Sequence, residues 1–461
     1  DAEEARRALG QAGPTVASDQ RLLGGHLGCG DGRDAFVLKK IDGWVRAVHK
    51  LADLANRLPQ STYVALVKSL QSEWQYVQRV VKGCGRHFHR VEEAIARRFL
   101  PVLLQRDVSD VDRELYALPT KAGGLALPDP RTTADPAYRT SRAATEHLVA
   151  AIRGQEPFDL MRHVRCMAEA RRAHKQAKKT VSDKQLETLL PQLPPAQARA
   201  VTRASQHNTG AWLNAVPLSD NGNVLGSQEF RDGLAFRYGY EPADLPKVCD
   251  GVGCGKPFSV VHGLNCSFGP NVIRRHDEIR DELALLSRLY YTGTSIEPVI
   301  KKPDESKPEG HPDRKGKRGD VLVRGMHASQ TDAIIDVRVV NLDAQSRVHA
   351  TAESTLKSEE TNKNTKHRAA CEARRIRFVP FVVSTDGCIG PQADSYLRLL
   401  ARCLSAKWQK PYSVVVSFLR MRVAFSIVRA SSSCMRGPRN AVQGHRWVMH
   451  DGAALDLMTF E

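Results

Sequence analysis

Apolar positions recur at helical spacing through the first half of the chain and at strand spacing after residue 320. Val37, Ile41, Trp44, Val48, Leu51 and Leu54 fall three or four residues apart, which predicts a helix over 34–57. Pro59-Gln60-Ser61 interrupts it, and further helices are expected over 62–81 and 88–104. Ser109-Asp110-Val111-Asp112 has the form of a capping box at the start of a short fourth. A basic helix is predicted over 162–179, and Ser182 is expected to cap another that runs to Leu190. Phe230 to Tyr238 reads as a helix with an apolar stripe. Beyond 320 the pattern changes. Val321-Leu322-Val323, Thr331 to Val340 and Arg377 to Val383 are short, rich in β-branched residues and bounded by turn residues, so they read as strands, the first two joined as a hairpin. Helices are expected again over 392–408 and 413–430, the second with unusually many β-branched residues.

The fold class expected is multidomain: a mainly α N-terminal half built as a helical bundle, then a metal-binding knuckle, then an α/β domain with a small mixed sheet. The domains are placed at 1–117, a basic helical linker region at 118–245, the knuckle at 246–270, the α/β domain at 271–435 and a weakly ordered tail at 436–461. Lys301 to Lys317 is rich in Lys, Pro, Gly and acids, and is expected to be a flexible insertion in the α/β domain.

The chain has 461 residues, too many for one ordinary core, and carries a formal charge of +17. A basic excess of this size favours a polyanionic partner, because Lys and Arg displace counterions from phosphates. Arg162, Arg165, Arg171, Arg172, Lys175, Lys178 and Lys179 stand against a single Glu169, and phosphate contact is expected there, above all from Arg171, Arg172, Lys175 and Lys178. No apolar run is long enough to span a bilayer, so no membrane partner is expected. The first residues are acidic, with no signal-peptide pattern, and the chain does not begin with Met. We therefore expect an intracellular chain that is a fragment or the tail of a larger polyprotein. Cys29, Cys84, Cys166, Cys371, Cys388, Cys403 and Cys434 are scattered and read as reduced thiols.

Three cysteines do cluster. Cys249-x4-Cys254-x7-His262-x3-Cys266 places three thiols and an imidazole within eighteen residues, a donor set suited to tetrahedral Zn²⁺. Gly251, Gly253 and Gly255 supply the backbone freedom for tight ligation. Four protein ligands leave no open position, so the zinc would be structural.

Gly123-Gly124-Leu125-x-Leu127, Asp129-Pro130 and Ala137-Tyr138-x-x-Ser141 resemble the region downstream of the palm in reverse transcriptases of non-LTR retroelements. Leu23-Gly24-Gly25-His26-Leu27-Gly28, Trp44 and Leu70-Gln71-Ser72-Glu73-Trp74 resemble their connection and thumb. Tyr-x-Asp-Asp and Phe-x-Asp-Asp are absent, so the chain lacks a catalytic palm and should not polymerise DNA by itself. The Cys-Cys-His-Cys set resembles the knuckle that precedes the endonuclease in one branch of these elements.

Alternation along 331–340 puts Asp332, Ile334, Asp336 and Arg338 on one strand face, and Asp320 begins the neighbouring strand. Two such carboxylates can converge on one hard cation, Mg²⁺ or Mn²⁺, with phosphate and water completing its shell. Residues 274 to about 432 resemble a PD-(D/E)XK restriction-like endonuclease. The resemblance implies that Asp320 and Asp336 bind the metal, that the helix beginning at Arg274-Arg275-His276 supplies Glu278 (or Asp281 or Glu282), and that a lysine completes the site. Arg338 stands where that lysine is expected, and it can steady a phosphate but cannot accept a proton from water. Lys363 and Lys366 resemble a replacement from the following helix, with either able to serve. Arg275 is expected to join the nucleic-acid contacts, and His276 to be structural or phosphate-facing.

The resemblance as a whole is to the C-terminal part of a non-LTR retrotransposon Pol protein that nicks DNA for target-primed reverse transcription. It implies DNA and the element's RNA as partners, no small-molecule substrate, the rest of the polyprotein upstream, and a nuclear location. The alternative is a catalytically inactive, zinc-bearing relic that binds nucleic acid without cutting it.

Overall fold

The computed structural model describes residues 4, 7 and 19–439, apart from 29, 207, 304–305, 307–315 and 327–330. Most of the expected insertion and the expected tail lie outside the described residues. The chain is mainly helical with a small mixed sheet, and its contacts divide it into two units, residues 1–192 and 193–461. The division falls inside the 118–245 segment that the sequence groups as one linker. No described helix is long and apolar enough to cross a membrane.

The first unit opens with a short hairpin, β1 (Gln20–Leu22) and β2 (Gly25–Leu27), followed by α1 (Asp31–Ala55). The buried stripe of α1 runs Val37, Ile41, Trp44, Val48, Ala52, Ala55, while Leu54 is exposed. The 3.6-residue repeat selects the alanines and rotates the expected Leu54 outward. The next two expected helices each contain a π-helical turn. One is α2 (Pro59–Val64), the turn Ala65–Leu70 and α3 (Gln71–Val80); the other is α4 (His89–Glu93), the turn Ala94–Phe99 and α5 (Leu100–Leu104). The box expected at Ser109 is present: its hydroxyl accepts from Asp112 N–H, and Asp112 accepts from Ser109 N–H, starting α6 (Asp110–Ala117).

The Gly123-Gly124 turn is buried. Leu125 and Leu127 are fully enclosed, Tyr63 donates to Leu125 O (2.9 Å), and Arg113 donates to Leu127 O while forming a bidentate pair with Glu92. A Cβ on Gly124 would lie 2.0 Å from Leu118 O, so the turn admits no side chain there. Two long helices, α7 (Pro130–Ile152) and α8 (Leu160–Leu189), pack as a hairpin. Ser182 does not cap a separate helix. It lies inside α8 with its hydroxyl donating to Lys178 O, one turn back, so the helix continues unbroken.

The second unit begins with α9 (Pro195–Ala204) and α10 (Ser227–Tyr238). Phe230 to Tyr238 is buried all round, so this helix lies within the core, as its apolar stripe suggests. The knuckle helix α11 (Val260–Asn265) and α12 (Asn271–Arg288) follow. The sheet holds β3 (Thr294–Ile296), β6 (Val321–Val323), β7 (Ala333–Val340) and β8 (Arg377–Ser384) in the order β3-β6-β7-β8. The first two pairings are antiparallel and β7–β8 is parallel, with α13 (Ala352–Glu372) between these last two strands. A separate ribbon pairs β4 (Val299–Lys301) with β5 (Lys317–Arg318). The pattern of apolar residues did not reveal β3, β4 or β5, which are only two or three residues long.

Helix α13 covers one face of the sheet, where Ile334 and Phe378 pack with Cys371 and Ile300. The other face meets α14 (Pro391–Trp408), whose Tyr396 packs edge-on against Phe381. Helix α15 (Tyr412–Arg436) contacts α10, α11, α12 and α14 and is buried along most of its length. That explains its β-branched content: close packing from every side suits stiff side chains, and only a fully enclosed helix offers it. Arg203 of α9 pairs with both Asp343 and Asp386, which follow the C-terminal ends of β7 and β8.

Candidate active site and metal centre

β7 is the central partner of β6 and β8, and seven of its eight residues are buried. Asp336 interrupts this apolar run and is only 4% exposed. The β6–β7 register ends at Val321–Ile335, and Asp320, one residue earlier, also donates its N–H to Ile335 O (3.1 Å), so two residues meet Ile335 as in a bulge. Asp336 shares the face of Ile334, which α13 covers, and Asp320 lies at the bulged start of the neighbouring strand, accepting from Val337 N–H.

Gly319, just before, has reasons of its own. Its N–H donates to Pro298 O (3.0 Å), and a Cβ would come within 2.3 Å of Ile334 Cγ2. A proline there would lose that bond and meet that clash.

Three side chains close in on the acids. Lys363 Nζ, from α13, is 2.5 Å from Asp336 Oδ2, a charge contact without hydrogen-bond alignment. His276 Nε2, from α12, is 3.1 Å from Asp320 Oδ1, and Val337 N–H donates to Asp320 Oδ2 (2.5 Å). Burial by itself would raise the Asp320 carboxyl. His276, the Val337 N–H and the nearby Lys363 outweigh it and hold the group below the usual carboxylate range. His367 sits one helical turn after Lys363, buried, with Nδ1 making no hydrogen bond; burial, opposed by Asp336, keeps its imidazole below its ordinary value.

Of the two lysines, the structure brings Lys363 to the acids. Lys366 is exposed, and its carbonyl accepts from Lys317 Nζ. Arg338 shares the face of Asp336 but is tied to Glu359 (3.3 Å), which also holds Arg347.

Glu278 is not at the site. The charges closest to it are Arg429, Glu229, Glu282 and Asp281, and burial pushes its carboxyl up to about 7. Two residues along a helix turn a side chain roughly 200°, so α12 cannot aim both His276 and Glu278 at Asp320. Its proposed substitutes are engaged too: Asp281 with Arg280 and Glu282 with Arg422. Arg275 is also misplaced as a nucleic-acid contact. It is buried and donates to Leu264 O (2.8 Å), bracing the knuckle. Arg171, Arg172, Lys175 and Lys178 are exposed on α8, as a phosphate-binding face requires.

The Cys249, Cys254, His262 and Cys266 ligand atoms all lie within 4.8 Å of one another. Among the described residues this is the one group of three or more His, Cys, Asp or Glu donors close enough to share an ion. Cys266 Sγ is 3.8 Å from both Cys249 and Cys254, and Cys254 Sγ is 3.5 Å from His262 Nε2. Tetrahedral ligation at ~2.3 Å per sulfur puts sulfurs ~3.8 Å apart, whereas a disulfide needs about 2.05 Å. The set fits a metal such as zinc. The turn that presents the first two thiols is closed by Cys249 N–H to Lys256 O and Cys254 N–H to Gly251 O, and Gly253 (φ +81°) takes a left-handed conformation. Ser259 caps α11 at His262 N–H, fixing the imidazole's approach. Leu264 and Phe258 then pack with Phe236, Cys434 and Met435, seating the knuckle on the end of α15. A cleft of about 700 Å³ lies between α11 and Ala344–Ser346, the loop after β7.

His276 and His367 are the neighbours that sequence reasoning did not place. His367 had a signal, its four-residue spacing from Lys363; His276 had none beyond its helix. The described cysteines form no disulfide. No family model matches the sequence, and no curated protein matches it.

Proposed function

We propose that residues 271–435 are a restriction-like, metal-dependent DNA endonuclease, and that the chain corresponds to the C-terminal part of a non-LTR retrotransposon Pol protein. The observation that carries this reading is the Lys363 charge serving two acids of adjoining segments: its Nζ lies 2.5 Å from Asp336, and it helps to hold Asp320 below the usual carboxylate range. A buried carboxylate in the middle of a central strand is costly unless its charge is used or balanced. Asp336 and Asp320, both in reach of the Lys363 charge, form a site that can take a divalent cation together with phosphate and water.

Asp320 and Asp336 would hold Mg²⁺ or Mn²⁺, which when bound stabilises charge on the attacking and leaving oxygens of phosphodiester hydrolysis. Lys363 would hold the scissile phosphate or orient the water. His276 keeps Asp320 ionised and ready to bind a cation. The knuckle would carry structural zinc and, with the exposed cations of α8, contact DNA or the element's RNA. Nicking for target-primed reverse transcription, in the nucleus and alongside an upstream polymerase, is the biological setting this reading implies.

The test is nicking of supercoiled plasmid with Mg²⁺ or Mn²⁺. Asp336→Ala and Lys363→Ala should abolish it, and cleavage that survives Asp336→Ala would refute the assignment. One observation favours the inactive-relic alternative: each acid already has a basic partner, His276 or Lys363, so the group also works as an ion-paired core. Under that alternative the wild-type chain binds DNA but does not nick it with either metal.

A further inference from the structure

The tip of the α7–α8 hairpin exposes apolar side chains that no described element covers. Ile152 is 77% exposed, Leu160 61% and Met161 70%, and Phe158 and Val164 are also on the surface. An apolar cluster of this kind on a polar, basic surface marks a contact site.

The tip is not a loose loop. His147 is buried, and its ring stacks on Phe158 with centroids 5.6 Å apart. Its Nε2 accepts from Asp159 N–H (2.9 Å) while Nδ1 meets Glu156 Oε1 (2.6 Å). Glu156 also pairs with Arg162, and Asp159 caps α8 by accepting from Met161 and Arg162 N–H. These contacts hold Leu160 and Met161 outward in the first turn of the helix, where they cannot fold back onto the protein.

Helical spacing then connects the tip to the cations. Leu160, Val164, Arg171, Lys175 and Lys178 fall three, four or seven residues apart, so they run along one face of α8, apolar at its start and basic beyond. From Leu160 to Lys178 that face is ~27 Å long, about eight nucleotide rises. Residues 152–179 contain eight Arg or Lys (153, 162, 165, 171, 172, 175, 178, 179) and three Asp or Glu (156, 159, 169), a net of 8 − 3 = +5. Two of those acids, Glu156 and Asp159, are committed to the tip's own bonds. A rim of one sign calls for a polyanion. An interfacial membrane helix would need its apolar residues along its whole length, and here the face beyond Val164 carries Arg171, Lys175 and Lys178, with Val181 the one exposed large apolar residue after them in α8.

We propose that this tip is a wedge that lodges against unstacked bases at a fork or strand end, while the cations of α8 follow the adjoining phosphates. Apolar side chains inserted at base steps and cations along the backbone are the usual division of labour in such contacts. The inference rests on the nucleic-acid-binding part of the function above and not on its nuclease.

The experiment uses the full chain and two DNA probes of one sequence, a fork with 2-aminopurine at the first unpaired position and a complete duplex. Wild type should bind the fork more tightly and change its fluorescence. The double variant Leu160→Ser/Met161→Ser, whose sites are exposed and whose helicity is checked by circular dichroism, should lose the fluorescence change and the fork preference. Its fork affinity should fall about tenfold, the loss of one base contact, with an unchanged salt dependence. Lys175→Gln/Lys178→Gln should weaken both probes alike and lower the salt slope by about 2. Retention of fork preference and signal in the apolar double variant overturns the wedge. So does a self-associating wild type that the same variant makes monomeric, or binding to anionic vesicles that the variant abolishes. Scoring the fork for nicking with Asp336→Ala tests the nuclease separately, since that variant should lose cutting and keep the wedge signal.

Discussion

Asp320 accepts from the N–H of Val337, the residue after Asp336, and Lys363 Nζ reaches Asp336 from the helix above. Removing that lysine leaves a nearly buried carboxylate without its cation. Lys363→Ala should therefore cost roughly 2–3 kcal/mol in urea unfolding, somewhat under a fully buried pair because the lysine is partly exposed, and should also abolish nicking. Lys366→Ala, at an exposed position, should stay within about 0.5 kcal/mol of wild type and keep its activity.

His276 acts on Asp320 by charge and hydrogen bond. Burial raises that carboxyl, and His276 is foremost among the groups that bring it below the usual range. In His276→Phe the balance moves toward burial, so Asp320 takes up a proton at higher pH than in wild type. The acid limb of the nicking pH profile should move upward. An unmoved limb would mean that Asp320 ionisation does not govern the rate.

Glu278 is a carboxyl held at about 7 by burial beside Glu229, Glu282 and Asp281. Its folded value lies above its unfolded one, so the folded state binds the proton more tightly. Stability from this group is complete below about pH 4.5, the unfolded value, and is lost as pH rises through 7. Glu278→Gln should flatten that fall and raise stability at pH 8 by on the order of 1–2 kcal/mol, discounted for partial exposure. Thermal unfolding of both proteins from pH 5 to 8 gives the comparison.

The knuckle should carry about one equivalent of zinc in metal analysis of the purified chain. Cys254→Ser should lose it, as should treatment with a strong chelator. Leu264 and Phe258 pack against Cys434 and Met435, so metal loss should also reduce amide exchange protection at the C-terminal end of α15. Full metal content in Cys254→Ser would remove the ligand assignment.

Much of the local structure was legible in the residues. Ser109 and Asp112 announced their capping box because capping is a contact between near neighbours. The Cys/His spacing announced the metal centre for a similar reason, since its four ligands fall in one short stretch. Where tertiary packing decides, reading failed. Ser182 looked like a cap, but its hydroxyl had a carbonyl one turn back within a continuous helix. Arg275 looked like a phosphate contact, but it is buried under the knuckle.

The alternation of residues 331–340 determined by itself that Asp336 and Arg338 would share a strand face, because side-chain direction along a strand follows from the backbone alone. It likewise marked Asp320 at the start of a neighbouring segment. Which groups meet those acids was decided only by the fold. Lys363 and Lys366 are equivalent in composition and three residues apart, and the rotation of α13 over the sheet turns one inward and the other to water. His276 over Glu278 was decided in the same way, by the angle at which α12 passes the end of β6. A sequence records spacing along each element, but the rotation of one element against another is set by the packing of residues distant in the chain.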